Sequence, residues 1–229
     1  MNGAKQAELQ VAFLPDTAVQ EPERAEPIDR PLLTPTIEPV PPRYYTVAKR
    51  AADLIVSSIL LVLSAPLLFL IALLIRRDSP GPALFVQKRV GRNGELFDIY
   101  KFRSMHADAP RYECSPTSSW DPRITRIGRF LRRTSLDELP QLMNVLLGDM
   151  SLVGPRPEMP FLVQRYNSRH RRRLQVIPGI TGLWQLSPDR AFPIHENIQH
   201  DVYYIRNRSF FMDMAILIRT VFFAMRRGV

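Results

Sequence analysis

Residues 54–75 read LIVSSILLVLSAPLLFLIALLI, twenty-two positions without a charge. As an α-helix this run is roughly 33 Å long, against about 30 Å of bilayer hydrocarbon. The simplest assignment is a single transmembrane span. Two features point elsewhere. Lys49 and Arg50 precede the run, and Arg76 and Arg77 follow it. The charge asymmetry that orients a spanning helix is therefore absent, and both ends look cytoplasmic. Pro66 lies near the middle, where proline removes a backbone bond and kinks a helix. Ser64 is placed to bond a carbonyl locally and ease the bend. Split at Pro66, the halves are about 18 and 14 Å long, each suited to one leaflet. The expectation is a re-entrant membrane hairpin over 44–77 that enters and leaves by one face.

On the N-terminal side, residues 1–43 hold eight of the 21 prolines. Such a segment builds no core and is expected to be a disordered tail. It has no apolar h-region of a signal peptide. On the C-terminal side, ALFVQKRV (83–90) and LFDIYKFR (96–103) flank a turn containing Asn93-Gly94, a hairpin signal. Phe97, Ile99, Lys101 and Arg103 share one face of the second strand. Residues 106–122 read as a loop with three prolines. A helix is expected through 124–133. Another begins near Ser135, with Leu139, Leu142, Met143 and Leu146 at helical spacing and Gly148 as its stop. Residues 161–174 look helical and basic, and 198–226 look helical. FFMDMAILIRTVFFAM (210–225) is too short and too charged to span, and reads as an interfacial or core helix. The fold class is mainly α with a small antiparallel β-hairpin: a monotopic membrane protein with interfacial amphipathic helices. Residues 78–229 are expected to form a separate domain on the cytoplasmic side.

The chain of 229 residues carries a net charge of +9, unevenly spread. The first 43 residues hold four bases against seven acids, so the remaining 186 carry +12. A basic body needs an anionic partner: nucleic acid, lipid headgroups or a phosphorylated substrate. The single Cys114 excludes an internal disulfide framework, and no Cys/His set has zinc spacing. No Gly-rich phosphate loop is present.

Three places could carry chemistry. Ser135-Leu-Asp137-Glu138 is a capping box, with Asp137 in the first turn of a helix. The acids either simply suit the helix dipole or, with Arg129, Arg132 and Arg133 upstream, make a site for a phosphorylated ligand and a divalent cation. Arg156, in GPRPE (154–158), is held between two prolines. It is either an exposed turn residue or a guanidinium pre-set for phosphate, with Glu158 beside it as a metal or hydroxyl partner. RYNSRHRRR (165–173) is a solvated face or a contact to anionic headgroups.

DSPGPALFVQKRVGRNGELFDIYKFRSM (78–105), RTSLDELPQLMNVLLGDMSLVGPRPE (133–158) and PGITGLWQ (178–185) resemble the bacterial sugar transferases, the small monotopic phosphoglycosyl transferases. The resemblance covers about residues 45–229. It implies transfer of a hexose 1-phosphate from a UDP-sugar to a polyprenyl (undecaprenyl) phosphate, with release of UMP. This is the initiating step of exopolysaccharide or related glycan synthesis, at the cytoplasmic face of the bacterial inner membrane. It implies Asp137 as nucleophile, forming a covalent aspartyl phosphosugar, and Glu138 assisting with metal or proton. Asp137 and Glu158 would bind Mg2+. Lys101, Arg103, Arg132, Arg156 and Glu158 would serve as substrate contacts. The implied partners are the two substrates and membrane lipids; self-association is left open. A basic membrane scaffold without catalysis is the alternative, but it has no need of the Asp-Glu pair and PRPE. A nucleic-acid binder explains neither these motifs nor residues 54–75.

Overall fold

The structure, a computed structural model, describes residues 42–110, 113, 116, 118, 120–193 and 196–227. Nearly all of the Pro-rich tail, with Cys114, lies outside the described residues. The apolar run forms the middle of one helix, α1 (Arg43–Asp78). Pro66 lies inside it without dividing it, so the two expected half-helices are one helix. A proline forfeits one donor, here to the carbonyl of Val62, while the bonds on either side persist. The Ser64 hydroxyl donates to the Leu61 carbonyl at 3.5 Å, the local compensation that its position suggests.

One stripe of α1 is covered along its whole length. Tyr45, Asp53, Ser57, Ile71 and Ile75 are buried, and Leu61 and Leu68 pack against the core between them. These positions fall at helical steps, so the body lies against a single face. The rest of the surface, including Ile59, Val62, Leu63 and Phe69, is exposed. The charges before the run are engaged by the body. Lys49 donates to the Val153 carbonyl and pairs with Asp213, both at 2.9 Å. Arg50 donates to the carbonyls of Val145 and Leu146 at 2.6 and 3.0 Å. Asp53 accepts from the Leu152 amide at 3.0 Å.

The expected hairpin is present. β1 (Leu84–Val90) pairs antiparallel with β2 (Leu96–Phe102), Leu84 opposite Phe102 and Val90 opposite Leu96. Asn93 and Gly94 both take positive φ, 58° and 86°, as the turn requires. α2 (Arg126–Thr134) starts two residues later than expected, capped by Thr125, whose hydroxyl accepts from the Gly128 amide at 2.9 Å. Asp78, the last residue of α1, accepts from the Ile127 amide at 2.9 Å. Both ends of α1 are thus fastened to one body.

The capping box does not form. Ser135 is in the left-handed region, φ 58°, and ends α2, its amide bonding to the Leu131 carbonyl. A 3-10 turn over Leu136–Glu138 and Pro140 precede α3 (Gln141–Leu147), which Gly148 ends as expected. The buried face of α3 is Gln141, Leu142, Asn144 and Val145, while Met143 points outward. The reason is Asn144. Its amide accepts from the Tyr100 backbone N–H at 3.0 Å and donates to the Asp98 carbonyl at 2.6 Å, docking α3 on the backbone of β2. One polar side chain that satisfies two strand groups rotates the helix away from its apolar spacing.

A second sheet, not anticipated from sequence, pairs β3 (Ser151–Val153) with β4 (Gly179–Thr181) in parallel. Gly154 and Gly179 make this approach possible. A Cβ on Gly179 would stand 2.0 Å from the Gly154 nitrogen, and one on Gly154 2.6 Å from the Ile177 carbonyl oxygen. The basic helix expected over 161–174 is broken into α4 (Pro160–Gln164), α5 (Ser168–Arg171) and a 3-10 turn, because Asn167 caps a new start by accepting from the His170 amide. After α6 (Leu183–Leu186), the C-terminal helix is two, α7 (Gln199–Asn207) and α8 (Phe210–Arg227). α8 buries Ile216 and Asp213 and exposes Phe211, Val221 and Phe222. Asp213 accepts from the hydroxyls of Tyr45 and Tyr204, each at 2.8 Å. The main core gathers Phe97, Ile99, Leu142, Val145, Met150, Leu152, Val153, Tyr204, Ile205 and Ile216, drawn from both sheets and the helices around them.

Asn144→Ala should therefore cost about 1–3 kcal/mol, since it strands the half-buried Tyr100 N–H and Asp98 C=O. A thermal melt of the detergent-solubilised protein checks this. Leu147→Ala, on the exposed side of the same helix, should change the midpoint little.

Candidate active site

Three separate segments bring charge to one place. β2 supplies Lys101, the 3-10 turn after α2 supplies Asp137 and Glu138, and the loop after β3 supplies Arg156. The apolar half of the Lys101 face, Phe97 and Ile99, is buried in the main core. That burial fixes which way Lys101 points, because the side-chain period of a strand is two. Glu138 is the meeting point. Its Oε1 accepts from Lys101 Nζ at 2.8 Å and from Arg156 Nη2 at 2.5 Å. Its Oε2 accepts from Arg156 Nη1 at 3.3 Å, so Arg156 grips the carboxylate with both nitrogens.

Burial alone would favour the neutral acid at Glu138. Arg156 and then Lys101 outweigh it and hold Glu138 well below the usual carboxylate range. In return, Glu138 pushes the Arg156 guanidinium further up. Burial pushes the Lys101 ammonium down, a shift that Glu138 opposes. Asp137 behaves in the opposite way. It is 8% exposed, and its carboxylate makes no hydrogen bond among the described residues. Burial, then the neighbouring Glu138 anion, push its carboxyl up to about 6, against the pull of Lys101, Arg132 and Arg156. Two adjacent acids are thus set apart, one firmly ionised and one poised near neutrality.

The other residues singled out in the sequence divide. Arg132, on α2, donates to the Pro116 carbonyl at 3.1 Å and acts electrostatically on Asp137. Arg103 is not at this centre. It is buried and donates to the Ser79 carbonyl and hydroxyl and to the Pro80 carbonyl, at 2.6–3.0 Å. It closes the end of α1 by filling acceptors there. Glu158 bonds to Val90 through its backbone, and its carboxylate turns towards Arg173, 3.9 Å away. Arg129 stacks over Trp120, 4.6 Å from the ring centroid.

Among the described residues, no three His, Cys, Asp or Glu side chains gather closely enough to hold an ion by themselves. A Mg2+ ion does not need such a cage. It usually takes one or two carboxylates and completes its shell with water and substrate phosphates. Asp137, buried and without a hydrogen-bond donor, is the carboxylate suited to that arrangement, while both Glu138 oxygens are already engaged.

Arg173 and Asn144 were not legible in the sequence. Arg173 stood within RYNSRHRRR, read as a solvated or lipid-facing run, yet it is 4% exposed. Nothing in the local pattern distinguishes it from Arg171 or Arg172.

The family model described as bacterial sugar transferase matches residues 44–227. The chain belongs to this family. It is 46% identical over 198 residues to the exopolysaccharide production protein PSS of Rhizobium leguminosarum bv. phaseoli, covering 80% of this chain and 97% of that one. It is 42% identical over 191 residues to the UDP-glucose:undecaprenyl-phosphate glucose-1-phosphate transferase of Caulobacter vibrioides, covering 80% and 72%. It is 45% identical over 189 residues to the undecaprenyl-phosphate glucose phosphotransferase of Komagataeibacter xylinus, covering 76% of this chain but 35% of that longer protein.

The raised Asp137 carboxyl has a consequence for stability. A group with a folded pKa near 6 and an unfolded value near 3.8 favours the folded state in its protonated form. The ionised form is penalised as pH rises from about 4 through 6. Asp137→Asn should remove that penalty and raise the thermal midpoint at pH 7.5, a gain of about 1–3 kcal/mol. The gain should shrink as pH falls to 4. Melts of both proteins without added metal across that range check it.

Proposed function

We propose that this chain transfers a hexose 1-phosphate from a UDP-sugar to polyprenyl (undecaprenyl) phosphate, releasing UMP, as the first membrane step of exopolysaccharide or related glycan synthesis. The observation that carries the reading is Asp137, a buried carboxylate without a hydrogen bond beside the fixed cations Lys101 and Arg156. Above pH 6 it is ionised in a site that gives it little solvation, the condition of an activated nucleophile.

An Asp137 oxygen attacks the β-phosphorus of the UDP-sugar. The bond from that phosphorus to the bridging oxygen breaks, and UMP leaves with the electron pair. The sugar phosphate stays on Asp137 as an acyl phosphate. A phosphate oxygen of the polyprenyl phosphate then attacks the same phosphorus and frees the carboxylate. Arg156 and Lys101 stabilise the charge on the phosphoryl oxygens as each displacement proceeds. Glu138, held ionised, is unsuited to carry a proton at neutral pH. Its part is to orient Arg156. Asp137 would hold Mg2+, which would supply charge neutralisation on the diphosphate; the Glu158 carboxylate is turned towards Arg173.

The substrates are one soluble anion and one lipid anion, so the site must stand at a membrane surface. α1 is long and apolar enough to cross a membrane. Its two ends, through Lys49, Arg50 and Asp53 and through Ile75 and Asp78, engage the same body. This supports a monotopic arrangement with both flanks on the cytoplasmic face. The exposed apolar sides of α1 and α8 would then rest in the bilayer interface.

Incubation with labelled UDP-sugar and no lipid acceptor should leave sugar phosphate on the Asp137 peptide, seen by mass spectrometry. Asp137→Asn should carry none. An adduct on Glu138, or UMP release only when both substrates are bound, would overturn the assignment. Arg156→Lys should lose about 30- to 1000-fold in rate with charge retained, since an ammonium cannot reproduce the two-nitrogen grip. In intact cells, cysteines placed in the 1–43 segment and beside Arg76 should both resist an impermeant thiol reagent. Labelling of the first alone from outside would show that α1 spans.

A further inference from the structure

The GPRPE loop is pinned by its backbone to an unusual degree. Four successive carbonyls each have a donor. That of Pro155 accepts from the Gly179 amide at 2.9 Å, and that of Glu158 from the Val90 amide at 3.0 Å. The two between them are met by side chains. Arg89 Nη1 donates to the Pro157 carbonyl at 3.5 Å, and Arg173 Nη2 to the Arg156 carbonyl at 2.7 Å. With two proline rings in the loop, the side chain of Arg156 is left as its main freedom.

Arg173 is the strongest of these ties. Its guanidinium is buried and reaches both sides of Pro157. It holds the Arg156 carbonyl, and it lies 3.9 Å from the Glu158 carboxylate. It also donates to the Tyr166 hydroxyl at 2.6 Å and pairs with Asp201 of α7 at 2.9 Å. A buried charge with four polar neighbours has one orientation. A lysine could not span them, because a single ammonium cannot copy a planar fork.

We infer that Arg173 is a positioning residue for the transfer reaction: by fixing the carbonyl of Arg156 it sets the aim of the Arg156 guanidinium at Glu138 and the transferred phosphoryl group. The inference rests on the phosphosugar-transferase reading above. Arg173 itself touches no reacting atom. It acts at a distance of one peptide unit, and a displacement of about 1 Å at a catalytic group costs up to about 100-fold in rate.

The test is a double-mutant cycle on UMP release from a UDP-sugar with polyprenyl phosphate, in detergent micelles. Arg173→Lys should lower kcat about 10- to 100-fold, and Arg156→Lys should lower it on its own account. In the Arg156→Lys background, Arg173→Lys should cost less than about threefold, because the group that it positions is already gone. A purely structural Arg173 would give losses that multiply, and that result would overturn the proposal. So would wild-type kcat in a folded Arg173→Lys protein. If Arg173→Lys does not fold, Tyr166→Phe takes its place in the cycle. It removes one bond of the guanidinium and should cost a few-fold that likewise disappears beside Arg156→Lys. Full activity of Tyr166→Phe would then count against the inference. An inactive wild type would instead sink the functional reading, and the two failures are distinguishable.

Discussion

An ionised Glu138 depends on Lys101 and Arg156, and much of the molecule is arranged to keep those three together. A carboxylate removed from water is stable only if its charge is matched and its lone pairs are filled. Lys101 meets that need because Phe97 and Ile99 on the same strand face are locked in the core. Arg156 meets it because its loop is bonded at carbonyl after carbonyl. The neighbouring Asp137 bears the cost. It shares the same dry surroundings, lies next to the Glu138 anion, and has no donor of its own. The arrangement stabilises one ionised acid and leaves the other with its carboxyl raised to about 6.

The apolar helix is bound to the rest of the body by polar contacts at its two ends. Lys49, Arg50 and Asp53 bond to α8, α3 and β3, and Asp78 caps α2. Such bonds are directional, so they set the rotation of α1 as well as its attachment. The buried stripe that follows is narrow, and most of the apolar surface stays outward. The charges that flank the apolar run in the sequence are engaged in holding the helix to the rest of the body.

Arg103 and Arg173 show why arginine counts say little about sites. Both are buried and both donate to backbone carbonyls. Arg103 bonds to the end of α1, while Arg173 holds the Arg156 carbonyl. Arg169, in the same basic run as Arg173, is exposed. The difference is made by Asp201 and Tyr166, which the fold brings to Arg173 from elsewhere.

The sequence by itself determined the elements whose signals are local. The apolar run announces a membrane-seeking helix, Asn93-Gly94 a tight turn, and Gly148 a helix stop, since each follows from hydropathy or from which residue tolerates positive φ. The Asp137-Glu138 and PRPE motifs, through their resemblance to sugar transferases, also pointed to the right family. What only the tertiary structure decided was whatever depends on a partner distant in the chain. Pro66 stays within one helix, because the loss of one bond is small beside the packing of a whole stripe. Ser135 ends a helix and caps none, because Glu138 is drawn to Lys101 and Arg156 and is not available to complete a capping box. The face of α3 is chosen by Asn144 and the strand backbone that it serves. Buried polar groups must be paired, and a sequence read locally does not show with whom.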